Sequence, residues 1–588
     1  PAWLLVAVGY LALAVVLWWH VWTQNPASTM VCACGDPSSF VWFLDWPAYA
    51  ISHGHSLFFA TTAHVPGGMN LLDNTSVLAL GVALVPVTWL WGPVASLNVA
   101  LTLAPALSAL AAYVCLRRAL GLSRLAAFTG GLMFGFSPFV MRNEAVSHLQ
   151  VTFQALLPLI FWCGYELAVT QRGKWWRWGL ALGVLIALQF FVGQETLTIT
   201  VMTAAIALGL AVLAALFRHG ALSPGGALAG RLPFAIRGFA LAGGVTALLL
   251  AYPLWFALAG PQHINGADWA HSATNGLLRV LLPLSQSAFQ QLHLPQVGYL
   301  GPAGLLGAYL GIPALAVLGV AVFAVRRPLP KLCAAVTLIT MWFSLGATQL
   351  PVANGGEPSW FVLPWRALDH LPVLEKLTPA NFSAAAVWFV AVAGALLVDR
   401  IQSLPARWAW AGAGAVSAAL ILPWAFAWPL PFTTSVVSTP AVVNHLPSGA
   451  VVLFYPFPSS YLDQALVWQA QSGMRYSVVG GRGLVSGPDG TVDHGLTPGT
   501  PEGTMSGLTT SYSPHSYLAL PRRPTPATAQ AFRNALRRWA VTDVVMTGGG
   551  RDPAYARQWL TAVLGTKPRL QNGAWVWSNV QQLLARRP

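Results

Sequence analysis

Apolar runs of membrane-spanning length recur along this chain, near 3–23, 98–116, 125–141, 150–170, 178–193, 196–217, 238–258, 302–325, 332–347, 383–398 and 408–430. A helix of roughly 20 such residues crosses a hydrocarbon core of about 30 Å. The runs predict a polytopic α-helical membrane protein with about 11 transmembrane helices. Only 8% of residues are charged and 56% are hydrophobic, which excludes a soluble globular chain. The first run has no Met or basic segment before it, as in a trimmed chain. It is longer than the apolar core of a signal peptide and reads as a retained helix.

One apolar segment stands apart. VLALGVALVPVTWLWG (77–92) is barely long enough to span and is interrupted by Pro86, so it reads as a partly embedded, re-entrant or interfacial helix. With that segment not spanning, the loops at 117–124, 172–177, 218–237, 326–331 and 400–407 share one side and carry 14 of the 31 Lys and Arg. The opposite side of the membrane region has only Arg142, Arg279, Arg366 and Lys376. By the positive-inside rule the 14 face the cytoplasm, and the long loop after the first helix (24–97) faces outward. Residues 1–430 thus form a transmembrane module. Residues 431–588 are richer in Pro, Gly, Ser and Arg and have short apolar runs, and they read as an extracytoplasmic α/β domain. Within it, 451–458, 541–550 and WVWSN near 575 read as strands, and 529–539 and 554–564 as amphipathic helices. The GGG at 548–550 lacks a following Lys-Ser or Lys-Thr and reads as a turn.

Acidic residues gather on the outward side, where Asp36 opens the first loop. A carboxylate at the edge of a low-dielectric region is placed to act as a general base; in GDP, Asp36 also reads as an N-cap with Pro37 at the first helical position. Asp45 lies nine residues on, about 2.5 turns, hence on the opposite helix face, and is the second candidate. Arg142, Asn143, Glu144 and His148 occupy the next outward mouth, where Glu144 and His148 at i, i+4 share a helix face. Gln194 and Glu195 sit between two helices with almost no loop; an intramembrane acid marks function or a helix-to-helix hydrogen bond.

His53-Gly-His55 resembles a metal pair, but histidines capping a helix end are the better reading, and Cys32-x-Cys34 lacks the four ligands zinc takes. Arg366 leads Arg279 and Arg142 as a phosphate-binding candidate, because guanidinium binds phosphate in a bidentate way. Trp360 and Trp365 beside it stack on sugars or belong to the interfacial aromatic belt. An excess of Arg over Lys, with abundant Ala and Gly, fits a high-GC bacterium.

The order of features (first helix, outward loop opening on Asp36, embedded 77–92, then LNVALTLAPALSALAAYVCLRRALGLSRLAAFTGGLMFGFSPFVMRNEAVSH) resembles the first half of the GT-C glycosyltransferases, in a bacterial, actinobacterial form. The resemblance covers about residues 1–200 in pattern and the rest more loosely. It implies inverting transfer from a polyprenyl-phosphate-linked sugar donor to a glycan, glycolipid or protein acceptor on the outer face of the plasma membrane. Asp36 would be the base, with Asp45 and Glu144 as further catalytic candidates. Arg366, Arg279 and Arg142 would bind the donor phosphate, and His148, Glu195, Gln194, His55, Trp360 and Trp365 the substrate. Many members carry an acidic pair in the second outward loop, where this chain has Asn143-Glu144 and His148. No cofactor is therefore expected, and a divalent metal is not favoured. Membrane lipid is an expected partner and nucleic acid is not. The alternatives are a lipid or glycan transporter, against which stands the lack of an internal repeat, and an inactive GT-C-like scaffold.

Overall fold

A computed structural model describes residues 2–31, 35–145, 147–219, 230–266, 310–346, 364–368, 370–371, 373–426, 434–459, 463–487, 489–493, 499–510 and 523–586. The chain divides into two compact units, and neither is continuous in sequence. The first comprises Pro1–Trp22, Val99–Ala251 and Gly266–Thr433; the second comprises Thr23–Asn98, Tyr252–Asn265 and Thr434–Pro588. The first outward loop, 24–97, falls in the same unit as the C-terminal α/β region.

Among the described residues, six helices are long and apolar enough to cross a membrane, seven if Arg124–Gly135 and Pro138–Glu144, bent by 41°, form one span. Of the expected eleven, the first run is a 16-residue helix, Ala2–Leu17, followed by a short turn Trp19–Trp22. Ile312–Ala324 and Leu329–Ser344 are likewise shorter apolar helices. The segment 77–92 is broken: a six-residue helix Leu78–Ala83 precedes Val85–Arg118, whose backbone leaves helical geometry at Gly92 (φ 84°, ψ 170°). Trp89, Leu90 and Trp91, just before that break, are exposed.

In the first unit, Ser383–Ile401 is buried from end to end through Val398. Its run of Ala and Gly lets neighbours approach closely. A Cβ at Gly130, on Arg124–Gly135, would stand 3.0 Å from Ala395 Cβ and 3.2 Å from the Ala391 carbonyl, so glycine sets that approach.

In the second unit, the strand Thr29–Val31 pairs antiparallel with Thr434–Val436, in the register Thr29↔Val436, Met30↔Ser435 and Val31↔Thr434. Further along, Val478 N–H donates to the Thr62 carbonyl (2.8 Å), and the Asn74 side chain exchanges hydrogen bonds with the Leu484 backbone. The α/β region is a five-stranded sheet. Val451–Tyr455 lies between Ser477–Val478 and Asp543–Met546, parallel to both, and Ala574–Trp577 and Arg569–Gln571 extend it antiparallel. Alternation along the strand sends Leu453 and Tyr455 to one core and Val452 and Phe454 to the other. A strand buried on both faces must read as a continuous apolar run, and VVLFY does. The helices Pro526–Arg538 and Pro553–Leu564 cover one face, close to their expected positions, and the triple glycine is the turn between strand and helix.

Candidate functional site

The helix Gly35–His53 carries Asp36 in its first turn. Pro37 suits that turn, since its missing N–H is one that no intrahelical carbonyl would use. Aromatic rows then fix the helix: Trp42 and Trp46 stack at 5.6 Å, and Trp42 Nε1 donates to Gln469 Oε1 at 2.7 Å. One turn after Asp36, on the same face, Ser39 Oγ donates to Asp463 Oδ2 at 3.0 Å. Arg482 donates from its guanidinium to Asp36 Oδ1. Asp36 is 30% and Arg482 24% exposed at the side chain, so the pair is open to a ligand, whereas Asp463 is buried. Burial pushes the Asp463 carboxyl up to about 7, and the Asp36 charge adds to this; Arg482 and the hydroxyls of Ser39 and Ser38 act against it. The guanidinium that Asp36 accepts from thus also acts through its charge on Asp463. Such a group of side chains can accept a proton from a hydroxyl at Asp36, and its guanidinium can meet an oxyanion.

Asp45, on the same helix, is buried, and burial pushes its carboxyl up to about 8. His55 lies exposed beyond the helix C-terminus, its ring stacked on Tyr49 at 5.4 Å, and His53 Nδ1 lies 3.0 Å from the Tyr49 carbonyl. His53 thus meets one of the last carbonyls of the helix, and His55 packs on Tyr49. Among the described residues no group of three or more His, Cys, Asp or Glu is placed to hold a metal ion.

The remaining candidates that are described lie in the first unit. Glu144 is buried and accepts from Trp18 Nε1 at 3.1 Å. It does not share a helix face with His148: the helix Pro138–Ala145 ends between them, Ser147 adopts φ 57°, and His148 starts the next short helix. His148 Nδ1 instead lies 3.1 Å from Asn143 Oδ1. Glu195 Oε1 accepts from the Thr378 N–H at 2.6 Å and from Asn381 Nδ2 at 3.1 Å, the helix-to-helix hydrogen bonding weighed above. Gln194 begins the same helix. Arg142 is partly buried and Arg366 exposed on the turn Pro364–Ala367. Trp365 presents no face to a sugar: it is buried among Ile199, Leu377, Phe382 and Ala385. Arg279, Trp360, Cys32 and Cys34 lie outside the described residues.

Sequence reasoning missed Arg482 and Asp463. The signal available was a lone Arg among glycines, GGRG at 480–483, which by itself reads as a turn.

No family model matches the chain, and no curated protein matches it by sequence. Solved structures do. The arabinofuranosyltransferase AftD from Mycobacteria is similar with a TM-score of 0.52 and 15% identity, over 97% of this chain and 40% of that one. A second AftD structure, of a variant, gives 0.55 and 14% identity over 97% and 41%. ArnT from Cupriavidus metallidurans, bound to undecaprenyl phosphate, gives 0.47 and 11% identity over 98% of each chain. The chain thus spans about two fifths of the length of AftD, and the likeness is one of fold, extending over nearly the whole of this chain.

Proposed function

We propose that this chain is an inverting glycosyltransferase of the plasma membrane. It moves a sugar from a polyprenyl-phosphate donor to a cell-envelope glycan, glycolipid or protein acceptor on the outer face, with residues 431–588 extracytoplasmic. The observation that carries the reading is the Asp36–Arg482 pair, a carboxylate and a guanidinium held together at the start of a helix in a chain with the fold of AftD.

The step balances without a cofactor. Asp36 takes the proton of the acceptor hydroxyl, and the hydroxyl oxygen attacks the anomeric carbon from the side opposite the lipid phosphate. The bond from that carbon to the phosphate oxygen breaks, and the phosphate leaves with the electron pair. Arg482, already turned toward the acid, takes the place given to Arg366, Arg279 and Arg142 as the first contact for the phosphate.

The experiment is turnover of polyprenyl-phosphate-linked pentoses and hexoses by purified protein, wild type against Asp36→Asn. Loss of a general base lowers the rate by about 10²–10⁴. Equal turnover in the variant removes Asp36 from the mechanism, and no turnover by wild type with any donor leaves the inactive scaffold.

A further inference from the structure

The second unit contains a cavity of about 170 Å³, and all the residues around it belong to that unit. A space of about 150 Å³ holds one benzene ring, so this one is sized for a single six-membered ring. Its polar wall is made of His64, Gln262, Ser486, Asp493 and Glu502, with Trp539 supplying an aromatic surface and no Lys or Arg lining it among the described residues.

His64 fixes the shape of one wall, packed against Gly481. Its ring donates to the Gly483 backbone, and burial pushes it down to about 4, so it is neutral. Nε2 then carries a lone pair, and though the residue is partly exposed, this atom is sealed and has no hydrogen-bond partner among the described residues. A Cβ at Gly481 would stand 2.7 Å from Nε2, so the ring fits only against glycine. Burial pushes Glu502 up; a backbone hydrogen bond of its own and the charge of Arg538 act against this, and the charge of Asp493 adds to it. The wall therefore offers the carboxyls of Asp493 and Glu502, the Ser486 hydroxyl and the Gln262 amide, together with the aromatic surface of Trp539. A ring that presents several hydroxyl donors and an apolar face matches it; a phosphate or an acidic sugar does not.

The cavity also lies beside the acid. Gly480 and Gly481 form part of its wall, and the next residue, Arg482, holds Asp36. We propose that this cavity is a subsite for one neutral sugar ring of the acceptor glycan. The assignment to an acceptor rests on the glycosyltransferase reading above; the binding of a neutral sugar does not.

The test uses the full chain in lipid nanodiscs and saturation-transfer NMR with methyl glycosides of arabinose, mannose, galactose and glucose, and with glucuronate. At least one neutral glycoside binds and glucuronate does not. Ser486→Trp, which fills the cavity, abolishes binding. Glu502→Gln, which keeps the shape, weakens it about tenfold, as loss of a hydrogen bond to a charged group does, and lessens the exclusion of glucuronate. Absence of binding by every neutral glycoside overturns the proposal, as does binding unchanged in both variants. In a transfer assay, Ser486→Trp raises the acceptor KM at least tenfold with kcat nearly kept; an unchanged KM overturns the acceptor assignment. Wild type that binds a neutral glycoside but transfers no sugar supports the binding site while removing the glycosyltransferase reading.

Discussion

Arg482 reaches the carboxylate of Asp36 across 446 residues of sequence. A guanidinium in that place presents further N–H donors to an arriving phosphate. Arg482→Ala is expected to raise the donor KM about 10- to 100-fold, the range for losing a charged hydrogen bond. Arg482→Lys restores only part of this, because an ammonium cannot bind in the bidentate way. Steady-state kinetics with the donor varied decide it: if only kcat falls and the donor KM stays at the wild-type value, Arg482 orients Asp36 and does not touch phosphate.

Asp463 makes the second unit sensitive to pH. Its carboxyl is raised from 3.8 to about 7, so the fold binds a proton that the unfolded chain has released over that interval. Stability from this group is complete below pH 3.8 and is lost as pH rises through about 7, on the order of 4 kcal/mol at most. Asp463→Asn removes that loss. Unfolding followed by tryptophan fluorescence should show the variant gaining on wild type steadily between pH 4 and 7. A gap that stays constant over the range would show that Asp463 keeps the same proton affinity in both states.

The parts of this molecule legible in the sequence are those with a local signal. VVLFY announced a buried strand because both its faces are covered, and Pro86 announced that 77–92 does not run as one helix. The joining of the first loop to the C-terminal region left no such trace: the pairing of Thr29 with Val436 is made by backbone groups that every residue has. Arg482 was hidden for a related reason, since nothing near it in sequence is acidic and its partner is Asp36. Spacing misled at Glu144 and His148, where i, i+4 means a shared face only if the helix continues, and the backbone turns at Ser147. Trp365 looked like an interfacial ring beside an exposed Arg366, yet adjacent residues on a short turn point in different directions, and the indole went to the core.

Glu195 ties the start of its helix to the Thr378 N–H and to Asn381. Removing the acceptor leaves a buried donor unmet, so Glu195→Ala should cost about 1–3 kcal/mol. Gln retains a carbonyl oxygen at the same reach, and Glu195→Gln should recover most of that stability and of any turnover. Thermal unfolding in detergent and transfer rate, measured on both variants, separate the roles. A stable but inactive Glu195→Gln would mean that the charge itself is needed, and Glu195 would return to the reacting groups.

Asp45 and Asp36 sit on one helix and are expected to behave oppositely. Asp45 is 6% exposed, its Oδ2 has no hydrogen-bond partner among the described residues, and burial raises its carboxyl from 3.8 to about 8. At neutral pH it therefore keeps its proton and cannot take another from an acceptor hydroxyl. Its contribution to stability is complete below pH 3.8 and is lost as pH rises through about 8. Asp45→Asn, which copies the neutral acid in size, should leave turnover within about twofold at pH 7 while Asp36→Asn loses about 10²–10⁴. Above pH 8 the same Asp45→Asn protein should outlast wild type on heating, since it has no buried charge to form. If instead Asp45→Asn is inactive and Asp36→Asn turns over, the base is Asp45 and the Asp36–Arg482 pair is a helix-end tether.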